Sequence, residues 1–173
     1  MRKFTFLKAA VLGAFLAGGN ANAQMVSGDV FLKGKYVEVG IGHLGYYGSD
    51  NSAPSGYHPH LGSSSKLGFV ADPDMDGWAV GTPAYMGDYF LPGSPFEGWM
   101  LQVDSARCQG YNIGSSTSLM ACAGGGSGTG ANLSYTTSGS KVIGTWQGVI
   151  DSVQLTQITT LDTNNLNFTV KIV

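Results

Sequence analysis

Residues 72–77, Asp72-Pro73-Asp74-Met75-Asp76-Gly77, set three carboxylates on alternate positions and end in glycine. This is the first half of a calcium loop: oxygen ligands come from positions one, three and five, and glycine at six makes the sharp turn. The second half does not follow. The position that carries a bidentate glutamate in an EF-hand is Pro83 here, which excludes that motif. Completion has to come from elsewhere, and Asp88 and Glu97 are the next acids along the chain. The metal expectation is therefore calcium held by Asp72, Asp74, Asp76 and Asp88. The competing expectation is a plain surface turn, because Pro73 fixes a dihedral and Asp and Gly form turns with no ion present.

Other residue patterns suit other chemistry. His58 and His60 lie two apart, with His43 upstream. On a strand that spacing shares a face, as a zinc site requires, but Pro59 between them favours a loop. A glycan-processing enzyme needs paired carboxylates, for which Asp88 or Glu97 would serve. No G-x-S-x-G or H-E-x-x-H motif accompanies them. Aromatics recur in the irregular stretches, and Trp78, Tyr89 and Trp99 are the candidates for stacking on sugar rings. The competing role for such rings is filling the core beneath long loops. Cys108 and Cys122 would close a loop of 15 residues as a disulfide.

The elements that must position these residues are strands. Alternation of apolar and polar residues recurs along the chain, and helical spacing is absent after residue 24. Val37, Val39 and Ile41 share one face, with Tyr36 and Glu38 on the other. Residues 66–71 make a short apolar strand. Trp99, Leu101 and Val103 alternate with Met100, Gln102 and Asp104. Two more strands fill 141–151 and 152–160. Leu166, Phe168, Val170 and Ile172 then form one apolar face, and the turn-formers at 162–165 predict a hairpin between the last two strands. Long irregular stretches are expected at 45–65 and 81–99. The glycine-rich 122–132 lacks the G-K-[ST] of a phosphate loop and reads as a flexible hairpin connection.

The first 23 residues have the pattern of a secretory signal: Arg2, Lys3 and Lys8, then an apolar run over 9–17, then Ala21-Asn22-Ala23. The run is too short to span a bilayer, and cleavage is expected after Ala23. The remaining 24–173 carry six basic and eleven acidic residues, a net charge of −5. That balance excludes the basic clusters of a nucleic-acid binder. No further stretch could cross a membrane. Export places the cysteines where disulfides persist. One domain of this length buries a proper core.

Four segments, 28–59, 66–78, 87–99 and 144–157, resemble a domain near the N-terminus of large exported bacterial proteins, common where a type IX secretion system operates. The block from Gly87 to Trp99 carries most of the resemblance. It implies an uncharacterised all-β module, with no catalytic residues to carry over. Relatives continue past the point matching Val173, so the domain is expected to be C-terminally incomplete here. The expectation is an antiparallel β-sandwich with long Gly/Ser/Pro-rich loops. Its expected role is that of a non-enzymatic structural or adhesive module, secreted or at the cell surface. A calcium-assisted carbohydrate-binding module is the alternative, and a glycan-processing enzyme fragment the third reading. Glycans or other surface proteins are the expected partners.

Overall fold

The structure, a computed structural model, describes residues 22–59, 65–78, 97–113, 117–123, 128–150 and 152–173. The all-β expectation holds: the described residues contain eleven strands and no helix, and all strand pairs are antiparallel. One sheet consists of β1 (Asn22–Val26), β2 (Asp29–Lys33), β3 (Val37–Ile41) and β4 (Phe69–Ala71) in that order. A second runs β11 (Phe168–Ile172), β10 (Val153–Asp162), β9 (Lys141–Ile150), β8 (Gly128–Ser138). The third joins β5 (Glu97–Val103), β6 (Ala106–Ile113) and β7 (Thr117–Ala123).

Turn chemistry sets the registers. Ser27 and Gly28 both have positive φ, 49° and 95°, between the paired residues Val26 and Asp29. That is the geometry of a two-residue type I′ hairpin, whose twist matches its strands. The period of two then sorts side chains by face. Val30 lies opposite Ile41, Leu32 opposite Val39, and Phe69 opposite Val39 on the next strand. These residues, with Ala23 and Val37, form one side of the main core, and Val142 and Leu161 of the second sheet are buried with them. Leu133 and Phe168 pack against its rim. Gly144 admits the Ile41 side chain where a Cβ would clash. The two four-stranded sheets therefore meet through these faces, which is compatible with the expected sandwich.

The opposite face of the first sheet is also covered. Phe31, Tyr57, Leu67 and Val70 form a second buried cluster there, with Val26, Ala53 and Trp78 at its margin. The covering chain runs so close that a Cβ on Gly40 would lie 2.1 Å from the Leu67 carbonyl oxygen. Gly40 is paired to this chain through its own N–H to Gly68 and its carbonyl to Gly48. Both faces of β3 are thus buried. Glu38, on the face opposite Val37, Val39 and Ile41, is buried completely.

Two expectations change, and the leader boundary meets a strand. The stretch 122–132 is not simply a connection: β7 reaches Ala123, β8 begins at Gly128, and β8 shifts register between Thr129 and Asn132. The predicted hairpin of β10 and β11 is present. However, Val170 and Ile172 are 45% and 55% exposed, and only Phe168 of that face reaches the core, against Tyr47 and Phe69. Asn22 and Ala23 belong to β1, and Ala23 is buried opposite Leu32. Cleavage after Ala23 would leave Gln24, Met25 and Val26 to pair with β2.

Candidate functional site

The chemistry-bearing side chains gather in three places around the first sheet, each at the junction of a strand and a loop. At the first, Glu38 points from β3 into the chain that covers the sheet. Its carboxylate accepts the backbone N–H of His58 at 2.6 Å on Oε2, and it meets the His58 ring Nδ1 at 2.9 Å on Oε1. Lys33, its neighbour across β2 and β3, makes an ion pair with it at 2.9 Å. Lys33 also donates to the Gly56 carbonyl and lies over the Tyr57 ring. The His58 ring stacks on Trp78, with centroids 4.5 Å apart and planes 5° from parallel. Trp78 donates its indole N–H to the Lys35 carbonyl. Tyr57 donates its hydroxyl to the Phe31 carbonyl. Burial, then the charge of Glu38, push the Tyr57 phenol well above its ordinary range.

At the second place, Asp29 opens β2 and is fully buried. Its Oδ1 accepts the N–H of His43, and its Oδ2 accepts the N–H groups of Asp50 and Asn51 and the Asn51 side-chain amide. One carboxylate therefore holds both ends of the 42–51 loop. Asp50 in turn receives the Tyr46 hydroxyl and lies 3.4 Å from His43 Nδ1. Ligand-type atoms of Asp29, His43 and Asp50 all fall within 4.8 Å of one another. The same loop is fixed from the far side by two indoles: Trp146 donates to the His43 carbonyl and Trp99 to the Leu44 carbonyl. Gly45, at φ +81°, lies flat on the Trp146 ring, where a Cβ would come within 2.5 Å.

Electrostatics follow from this packing. Burial raises the Asp29 pKa, against the lowering effect of its hydrogen bonds from Asn51. The hydrogen bond to Asp50 raises that of His43 above 6.5, against partial desolvation. A raised native pKa means the folded state binds the proton more tightly than the unfolded chain. The His43 contribution is therefore fully present below pH 6.5 and is lost as pH rises through the folded-state value. Half of the His43 side chain is exposed, so the effect is screened and small. The expected result is a modest loss of unfolding free energy above pH 6.5 in the wild type, and a flatter profile in His43→Gln, measured by urea titration at a series of pH values.

The third place is the 72–77 turn at the end of β4. Asp72 is buried, with 1% of its surface exposed, while Asp74 and Asp76 are exposed. Asp72 Oδ2 accepts the Gly77 N–H at 3.0 Å. Asp72 Oδ1 is buried and has no hydrogen-bond partner among the described residues. The loop is docked to the sheet by the Asp72 N–H on the Tyr36 carbonyl.

The structure separates several residues that the sequence grouped. His43 and His58 belong to different clusters, and His60 lies outside the described residues, as do Asp88 and Tyr89. Trp78 and Trp99 do not form one platform: Trp78 packs on His58, and Trp99 on Trp146 and Gly110. Cys108 is buried on β6, and the register places it directly opposite Cys122 on β7. Asp29, Glu38 and Asp50 were not expected as site residues. Their signal in sequence is faint: an acid at a strand start, an acid in an apolar alternation, and an Asp-Asn pair in a loop.

No protein-family model, curated protein or solved structure matches the chain.

Proposed function

We propose that this chain is a structural or adhesive module of an exported bacterial protein, non-enzymatic and presented outside the cell. The observation that carries this reading is how its buried carboxylates are used. Asp29 and Glu38 accept main-chain N–H groups of two long loops and so hold those loops against the sheet. Carboxylates used in this way shape a surface. The signal-like leader and the type IX-associated resemblance of 28–59, 66–78, 87–99 and 144–157 support export. The cross-strand register of Cys108 and Cys122 supports a disulfide, which suits an oxidising compartment and would constrain a 15-residue loop.

The test is expression with the native leader, followed by fractionation, N-terminal sequencing and a glycan array. The reading predicts protein at the surface or in the medium beginning at Gln24, and no polysaccharide turnover. Array binding that disappears in a folded Trp78→Ala variant would favour a carbohydrate-binding module. Turnover that disappears in Glu97→Gln would favour the enzyme fragment and overturn the proposal.

A further inference from the structure

We infer that the 72–77 loop is a low-affinity calcium site, with Oδ1 of Asp72 as its buried anchor and the carboxylates of Asp74 and Asp76 closing over it. The proposal is independent of the role assigned to the module. Its basis is the unequal use of the two Asp72 oxygens. Oδ2 accepts the Gly77 N–H, so the carboxylate faces into its own loop. Oδ1 is left buried with no hydrogen-bond partner among the described residues. An orphaned carboxylate oxygen away from water is costly, and native proteins rarely keep one without a ligand or a partner. A hard, oxygen-seeking cation satisfies it directly.

The surrounding chain is shaped for that cation. Counting Asp72 as position one, the carboxylates fall at one, three and five. The glycine required at six is Gly77, and it has a φ of +104° that glycine adopts without strain. Met75, at position four, is held at φ +56°, which is uncommon for a residue of its kind. The Met75 N–H closes on the Asp72 carbonyl. Asp74 and Asp76 are exposed, and the one described cluster with ligand atoms within 4.8 Å is Asp29–His43–Asp50. Binding must therefore draw two solvated side chains onto an oxygen already in place. Ordering them costs entropy, and Pro83 replaces the glutamate at position twelve. Both features place the affinity in the weak range of extracellular modules, a Kd of about 10⁻⁴–10⁻³ M. Calcium fits better than magnesium because it tolerates irregular oxygen sets.

The test is calorimetric titration and thermal melting of the chelated protein with calcium chloride, using magnesium chloride as the comparison. The expected result is saturable calcium binding in that range and a rise in Tm of about 3–5 °C at roughly 5 mM calcium, with a smaller response to magnesium. Asp74→Asn and Asp76→Asn change only exposed side chains, so each should melt like the wild type in chelator. Each should weaken calcium binding about tenfold. No heat and an unchanged Tm in the wild type would overturn the proposal. So would a response kept in full by the Asp74→Asn, Asp76→Asn double variant. A response lost instead in Asp50→Asn would place the cation at the Asp29–His43–Asp50 cluster and overturn it as well.

Discussion

Trp146→Ala is expected to lower unfolding stability by about 3–5 kcal/mol, the usual cost of truncating a buried aromatic to alanine. Trp146 is 1% exposed and among the largest fully buried side chains. The cost should fall toward the upper end because the site cannot collapse. Gly45 and Gly148 lie against its ring without side chains of their own, and Trp99 packs 5.3 Å away. Removing the indole leaves a void between two glycine backbones and strips the His43 carbonyl of its donor. Trp146→Phe should recover part of the packing and none of the hydrogen bond, giving an intermediate loss. Urea unfolding of the three proteins, compared at equal m-values, checks the order. A loss below about 1 kcal/mol for the alanine variant would mean that the ring is not a core element.

Glu38→Ala should cost about 3 kcal/mol, from a different cause. The change removes little apolar contact. It leaves the Lys33 ammonium, three-quarters buried, without its counter-charge, and it leaves the His58 N–H without its acceptor. Breaking a buried ion pair by deleting one partner is expensive because the other charge stays behind. Glu38→Gln keeps an acceptor for the His58 N–H and should cost about half as much. Replacing both Lys33 and Glu38 by apolar residues should be milder than Glu38→Ala alone, since no charge is then stranded. A double variant worse than Glu38→Ala would contradict this account of the cluster.

The contrast between these residues shows what the sequence made legible. The strands expected at 97–103, 141–151 and 152–160 are present as β5, β9 and β10, and in β9 the buried Val142, Gly144, Trp146 and Gly148 alternate with more exposed neighbours. The same rule put Glu38 on the face opposite Val37, Val39 and Ile41, where it lies, but did not show that this face is buried too. Alternation reports two faces but does not say that a loop distant in sequence will cover the second one. That cover depends on Gly40 allowing Leu67 to approach, a contact with no local trace. The Asp29 clamp was hidden for the same reason: its partners lie 14, 21 and 22 residues away. The 72–77 turn was visible because its acids are local in sequence, and the structure added which oxygen is buried. The apolar face at 166–172 misled in the other direction. Its pattern is that of a buried strand, yet Val170 and Ile172 are exposed.

The account rests on buried carboxylates acting as clamps between loops and sheet, and amide hydrogen exchange at their partners tests this most directly. The N–H groups of His43, Asp50, Asn51 and His58 all lie in loops, where exchange is ordinarily fast. The prediction is slow exchange at all four in the wild type. Protection should be lost at His58 alone in Glu38→Ala, and at His43, Asp50 and Asn51 together in Asp29→Ala, while the amides of β9 and β10 remain protected in both. Fast exchange at these four positions in the wild type would contradict the account.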